Sequence, residues 1–268
     1  MADLFHDRLH ILNLIRMKKN VVVITAVGYP QKISYARYCF YVWNWWCRKN
    51  NVRLFILNRN YSNPDDMRPT WMRYHVFDIL ERHGFPYDQI ALVDADTMIR
   101  WDCPNFFEIS ERKFCVVRDE KRRLWVRKSI RAYQPFYPGI KLDPQDYFNA
   151  GFMIFNENHR GLFQAMRQFY HSNKNRIREI TRTLRKGTDQ SPLNFMVMKE
   201  NTEIKYLTEQ YNYMHFLNFW YNNPWLMKKY NISAFVQKGF IWHFIGIDKR
   251  LNETIMGKTW ERIKHNYA

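Results

Sequence analysis

Two aspartates, Asp94 and Asp96, stand one residue apart directly behind the apolar run Ile90-Ala91-Leu92-Val93. Such a run predicts a buried strand that ends at the edge of a sheet. On extended chain, side chains at i and i+2 project to the same face. Two carboxylates held that close repel unless a cation lies between them. Oxygen donors of this kind suit Mg²⁺ or Mn²⁺, metals that usually hold substrate phosphates at the same time. The pair therefore predicts a metal–diphosphate site at the carboxyl end of a strand. A solvated turn is the bland alternative; the strand before the pair and Thr97-Met98-Ile99 after it favour the metal.

Three more polar clusters follow in order: Phe148-Asn149-Ala150-Gly151, then Asp189-Gln190, then His243-Phe244-Ile245-Gly246 with Lys249. Each also suits an ordinary role. Asn149 fits a turn before a strand, Thr188 or Asp189 a helix N-cap, His243 a buried histidine, Lys249 an open surface. The turn Thr25-Ala26-Val27-Gly28-Tyr29 holds one glycine and no Gly-x-Gly-x-x-Gly or Gly-Lys-Ser/Thr pattern. That argues against a dinucleotide fingerprint and a phosphate loop. A nucleotide bound here would leave its phosphates to the metal.

The elements that must position these groups alternate. A helix is expected over 3–19, a strand at Val21–Ile24, a helix over 31–49, a strand at Arg53–Leu57 and a helix over 68–83. The strand ending at Asp94 completes a β-α-β-α-β order, which implies a parallel sheet with helices on its faces. Ligands of such sheets bind beyond the carboxyl ends of the strands. Further strands are expected at Phe114–Val117, Phe152–Phe155 and Phe240–Phe244. Helices are expected over 159–185, at Ser191–Lys199 and at the C-terminus. The basic, Pro-containing stretch 120–146 reads as a long loop or lid.

The 268 residues suit one large domain with a sizeable core. No apolar run approaches the ~20 residues that span a bilayer. Asp3, His6, Asp7, Arg8 and His10 interrupt the N-terminus as a secretory signal. The expected location is cytoplasmic, with a peripheral membrane association open; a luminal fragment cut from its anchor would look the same. Cys39, Cys47, Cys103 and Cys115 form no Cys-x-x-Cys pair, so structural thiols are expected rather than zinc. The net charge of +17 favours anionic partners: nucleic acid, lipid headgroups or phosphorylated substrates. Of the many aromatics, including Trp43, Trp45 and Trp46, most are expected in the core.

Taken together, Asp94-Ala95-Asp96, Asn149-Ala150-Gly151, Asp189-Gln190 and His243 through Lys249 resemble the retaining glycosyltransferases of family 8, the glycogenin and bacterial lipooligosaccharide galactosyltransferase kind. The resemblance runs from about residue 20 to residue 250. It implies one GT-A domain, a Rossmann-like, mostly parallel sheet flanked by helices. Its parts would be an N-terminal helix (1–19), a nucleotide-binding half (20–110), a donor-sugar and acceptor half (111–250) and a C-terminal helix (251–268). It implies a UDP-sugar donor, a glycan or glycolipid acceptor, and Mn²⁺, with Mg²⁺ as the alternative ion. Asp94, Asp96 and His243 would ligate the metal, with Asp94 also near the ribose or donor sugar. Gly246 would let backbone approach the diphosphate, and Lys249 would pair with it. Asn149 would contact the donor sugar, Asp189 its hydroxyls, and Gln190 would face the anomeric carbon. Thr25, Ala26 and Tyr29 would hold uridine, with Tyr35 a rival to Tyr29 for stacking on the base. Ala95 and Arg73 would lie near the donor; Arg73 stands further from Asp94 than the family's spacing suggests. Transfer would proceed by front-face attack, with a covalent route through Asp189 as the alternative.

Two rivals stay open on the sequence. An inverting GT-A transferase needs a carboxylate base, for which Asp119, Glu120 and Asp146 are unassigned. A nucleic-acid-binding protein would account for the charge, but no helix-turn-helix, zinc-finger or RNP-like signature accompanies it. Milder uses of the charge are an anionic membrane surface or a phosphorylated glycolipid, met by Arg118–Arg131 or by the helix from Arg167 to Lys186.

Overall fold

The computed structural model describes residues 19–28, 35–61, 67–119, 123–184, 189–214, 232–245 and 249–268. In chain order its main elements are β1 (Lys19–Thr25), α1 (Phe40–Lys49), β2 (Arg53–Leu57), α2 (Val76–Arg82), β3 (Tyr87–Asp94), β4 (Thr97–Ile99), β5 (Phe114–Arg118), α3 (Arg123–Tyr133), β6 (Phe148–Asn156), α4 (Arg160–Leu184), α5 (Gln190–Lys199), β7 (Ile204–Leu207), α6 (Ile232–Lys238), β8 (Ile241–His243) and α7 (Lys249–Ile263).

Six strands form the central sheet in the order β2-β1-β3-β6-β5-β7. β1 is parallel to β2 and β3, and β5 to β7, while β6 runs antiparallel to both β3 and β5. Five strands thus point one way and β6 alone is reversed, as a mostly parallel α/β architecture requires. Successive side chains leave a strand on opposite faces. Val21 and Val23 therefore enter a core with Trp71, Phe77 and Tyr170, and Val22 and Ile24 enter another with Trp43, Trp46 and Trp242. Burial on both faces is why β1 and β3 read as unbroken apolar runs. Trp43 and Trp46 are core residues, as expected of most aromatics here.

Of the helix expected over 31–49, residues 31–34 lie outside the described residues and the rest is a wide π turn, Tyr35–Cys39, followed by α1; that over 68–83 is a 3-10 segment, Pro69–His75, running into α2. The C-terminal helix starts at Lys249 rather than 251. The helix expected over 3–19 lies outside the described residues except for Lys19, which already belongs to β1.

One expectation fails outright. The stretch 120–146 is no structureless loop: it holds α3 and a 3-10 turn, Gln134–Phe136. Val126, Ser129, Ile130 and Tyr133 are buried, the i, i+3, i+4, i+7 stripe of a surface helix. Pro135, Pro138 and Pro144 all fall after α3 and leave its backbone ladder intact. Among the described residues no helix is long and apolar enough to cross a membrane. All four cysteines are buried and free.

Candidate metal centre

β3 ends at Asp94, Ala95 and Asp96 form a turn, and β4 begins at Thr97. The turn, rather than extended chain, brings the two carboxylates together. Thr97 holds it: its hydroxyl donates to the Asp94 carbonyl at 2.7 Å and accepts from the Trp43 indole at 3.0 Å. β4 pairs antiparallel with β8, which sets Thr97 opposite His243. The Phe244 amide donates to the Asp96 carbonyl at 2.9 Å. A residue from the far end of the chain is thereby fixed beside the turn.

His243 Nε2 lies 3.3 Å from Asp96 Oδ1 and 3.7 Å from Asp94 Oδ2. One potential ligand atom from each of the three residues falls within 4.8 Å of the others. The His243 ring is fully buried, and its Nε2 has no aligned hydrogen-bond partner. A buried polar atom left unpaired is costly, and here it faces two carboxylates. Two hard oxygens and one imidazole nitrogen fit a divalent cation such as Mn²⁺. Gly151 closes the floor of the site. A Cβ there would stand 2.2 Å from His243 Cε1, 2.8 Å from Asn149 Oδ1 and 2.9 Å from Asp94 Oδ2.

Arg73, almost fully buried, ties this site to the next motif. It donates to Asp94 Oδ1 at 2.6 Å, to the Ala150 carbonyl at 2.6 Å and to the Thr70 carbonyl at 3.1 Å. Asp189 Oδ2 lies 3.5 Å from its Nε and accepts from the Tyr74 hydroxyl at 3.1 Å. Burial alone would lower the guanidinium's pKa, but Asp94 and Asp189 outweigh it and hold it above its usual value. Burial and then Asp189 push the Tyr74 phenol well above its usual range, so it stays a neutral donor. Thr25 Oγ1 lies 3.1 Å from both the Val93 carbonyl and Asp94 Oδ1.

A second set of side chains runs from His243 across the reversed strand. Asn212 Oδ1 lies 2.8 Å from His243 Nδ1, and Asn212 Nδ2 donates to Asn149 Oδ1 at 2.9 Å. Asn149 Nδ2 donates to Gln190 Oε1 at 3.0 Å, and Gln190 Nε2 donates to Asp119 Oδ2 at 3.2 Å. All five residues are buried.

The structure thus gathers Thr25, Arg73, Asp94, Asp96, Asn149, Asp189, Gln190 and His243 into one connected group. Ala26 and Ala95 are buried beside it, Ala26 donating its amide to the Leu57 carbonyl at 2.8 Å. Lys249 opens α7, while Tyr29 and Gly246 lie outside the described residues. Sequence reasoning overlooked Tyr74, Thr97, Gly151 and Asn212 as members of the group. For Gly151 the signal was present in Asn149-Ala150-Gly151; Tyr211-Asn212-Tyr213 offers none.

The sequence model described as "Glycosyl transferase family 8" matches residues 14–250. No curated protein matches the chain significantly. Among solved structures the chain is similar to a glycosyltransferase involved in the glycosylation of the major capsid of PBCV-1. The TM-score is 0.58 at 8% identity, over 90% of this chain and 100% of that one. It is similar to the glycosyltransferase GlyE of Streptococcus pneumoniae TIGR4 (TM-score 0.52, 16% identity, 94% of this chain and 63% of GlyE). It is also similar to the bifunctional glycosyltransferase WbbM (TM-score 0.54, 14% identity, 94% of this chain and 52% of WbbM). The chain therefore spans less than two thirds of GlyE and of WbbM. At such identities the likeness speaks for the fold, which is the GT-A arrangement.

Proposed function

The chain belongs to glycosyltransferase family 8, and from that premise we propose that it moves a hexosyl or pentosyl unit from a UDP-sugar to a glycan or glycolipid acceptor with retention of configuration. A single GT-A domain would do so over the length of the chain. The observation that carries this reading is the unpaired, buried His243 Nε2 facing Asp94 and Asp96, one side chain removed from Asp189. A divalent ion held there, Mn²⁺ or Mg²⁺, would neutralise the diphosphate of the departing nucleotide.

The protein's own groups do the rest. Arg73 stays cationic and holds Asp94 and Asp189 at fixed positions, where Asp94 would serve the metal and Asp189 the donor's hydroxyls. Glycosyl transfer passes through an oxocarbenium-like state. Gln190 is no base and a poor nucleophile, but its carbonyl end is fixed by the Asn149 side chain and by the Ala150 amide at 3.3 Å. A fixed amide dipole next to a developing cation stabilises it without reorganisation. That favours attack on the face the nucleotide leaves. Asn149 would touch the sugar, Lys249 and the backbone at Gly246 the diphosphate, and Thr25, Ala26, Ala95 and Tyr29 the nucleoside.

One observation favours a second reading. Asp119 is a carboxylate buried beside Gln190, where an inverting enzyme would keep its base. The anomeric configuration of the product separates the two. The reading also puts the enzyme in the cytoplasm against an anionic membrane surface, met by α3.

Calorimetry with UDP-galactose, UDP-glucose, UDP-xylose, UDP-N-acetylglucosamine and GDP-mannose, each with Mn²⁺ and with chelator, tests the donor site. One UDP-sugar should bind only with Mn²⁺, and Asp96→Ala should abolish it. Absence of binding by every nucleotide sugar would overturn the proposal.

A further inference from the structure

The buried amides around His243 leave no freedom in which way they point. Backbone N–H groups can only donate, so whatever accepts from them is oxygen. The Gly151 amide donates at 2.8 Å to the Asn149 side chain and fixes that atom as Oδ1. The Ala150 amide fixes Gln190 Oε1 in the same way. Asn149 Oδ1 is thus an acceptor only, and the Asn212 atom 2.9 Å from it must be the NH₂ group. The other end of Asn212, its oxygen, then faces His243 Nδ1 at 2.8 Å. An oxygen there requires a hydrogen on Nδ1. A neutral imidazole carries one N–H, so Nε2 is left bare.

We propose that Asn212 is a positioning residue that fixes the tautomer of His243, holding the proton on Nδ1 so that Nε2 presents its lone pair to a divalent cation between Asp94 and Asp96. This rests on the metal reading of those three residues. The competing arrangement is clear from the distances. Asp96 Oδ1, 3.3 Å from Nε2, would accept a proton there. Such a proton would have to leave before any metal could bind. The amide chain opposes it, because moving the proton to Nε2 would set the Nδ1 lone pair against the Asn212 oxygen. Reversing Asn212 to relieve that contact would set its oxygen against Asn149 Oδ1. The same chain continues through Asn149 to Gln190, so the group beside the anomeric carbon and the histidine at the metal are oriented by one set of hydrogen bonds. Partners behind a metal-bound histidine commonly set its affinity in this way.

The test uses the full chain labelled with ¹⁵N-histidine, metal-free, at a pH where imidazole is neutral. In the wild type the His243 signals should show a protonated Nδ1 and a bare Nε2. Asn212→Leu removes the acceptor at similar size and should move the proton to Nε2. It should also weaken Mn²⁺ binding, measured without any nucleotide, by about 10- to 100-fold. Asn212→Asp keeps an oxygen on Nδ1 but cannot donate to Asn149. It should keep the wild-type tautomer and bind Mn²⁺ within about threefold of wild type, while turnover falls because a carboxylate set against Asn149 Oδ1 displaces the side chain that meets Gln190. A merely structural role would harm both variants alike and leave the tautomer alone. A wild-type spectrum with the proton on Nε2, or Asn212→Leu with unchanged tautomer and Mn²⁺ affinity, overturns the proposal. Should Asn212→Leu fail to fold, the wild-type spectrum and Asn212→Asp still decide. Wild type with the predicted tautomer but no affinity for Mn²⁺ would overturn the metal site and, with it, the purpose assigned to Asn212.

Discussion

Gly151 bears no side chain, and the candidate metal centre depends on that. It lies in the middle of β6 with ordinary backbone angles, so its reason is space rather than conformation. An added methyl would stand 2.2 Å from the His243 ring and 2.9 Å from Asp94 Oδ2, closer than any real carbon sits. Overfilling a packed site costs about 1–3 kcal/mol. Here the groups that must move are the proposed ligands themselves. Gly151→Ala should destabilise the fold by that amount, read from the denaturant midpoint, and weaken Mn²⁺ binding by at least about tenfold. Unchanged Mn²⁺ affinity in a destabilised protein would mean that His243 and Asp94 are not held where the metal needs them. At this scale the acidic pair, Asp189-Gln190 and His243 were legible because their types are unusual and their order specific. Asn212 was not, because its place is defined by His243 and Asn149, neither of which is near it in sequence.

Among the elements, strands were the most legible. Val21–Ile24 and Ile90–Val93 are short unbroken apolar runs, as strands buried on both faces must be. β4 was missed because it spans three residues and is a strand only by virtue of β8 opposite it. α3 was misread because prolines and a dense basic character hid its buried stripe. That stripe packs toward α5, where the Ser129 and Tyr147 hydroxyls both meet Ser191 Oγ, at 2.5 and 2.6 Å, directly behind Gln190. The opposite face presents Leu124, Arg127, Lys128 and Arg131 at i, i+3, i+4 and i+7. All four are exposed, Leu124 at 78%. Among the described residues none of these three cations has an acidic partner. A basic face with an exposed leucine beside the proposed donor site suits an anionic bilayer. Each cation near such a surface contributes about 1 kcal/mol, so reversing all three should weaken vesicle binding by at least about 100-fold. Sedimentation of Arg127→Glu/Lys128→Glu/Arg131→Glu with phosphatidylserine vesicles measures this, and activity on a soluble acceptor should persist. Equal binding by wild type and variant sinks the membrane reading. Binding of single-stranded RNA but not vesicles by the wild type would replace it with the nucleic-acid one.

On the scale of the molecule, the reversal of one strand assembles the site. β1, β3, β5 and β7 deliver their carboxyl ends to one edge, and antiparallel β6 brings its first residues, Phe148–Gly151, to the same edge. Arg73 and Tyr74 reach that edge from the segment Pro69–His75, whose last residue is a histidine held below its usual pKa. His75 Nε2 is buried without a partner, and burial, then Arg167, lower its pKa to about 4; His171 and Arg82 act in the same sense, and Asp78 opposes them. In the unfolded chain a histidine titrates near 6.5. The folded state therefore favours the neutral ring. Its contribution is fully present above about pH 6.5 and is lost as the pH falls through the window toward 4. The ring is only partly buried, so solvent screening reduces the linkage figure to about 1–2 kcal/mol. Carboxylates protonate in the lower part of the same window, so the wild-type curve alone does not isolate the effect. His75→Gln, neutral at every pH, serves as the reference. The stability of wild type relative to this variant should fall by about 1–2 kcal/mol between pH 7 and pH 4.5, read from denaturant midpoints at constant m. Parallel curves would show that the ring takes up its proton as freely in the folded protein as in the unfolded chain. The segment that carries Arg73 and Tyr74 would then be equally firm in acid.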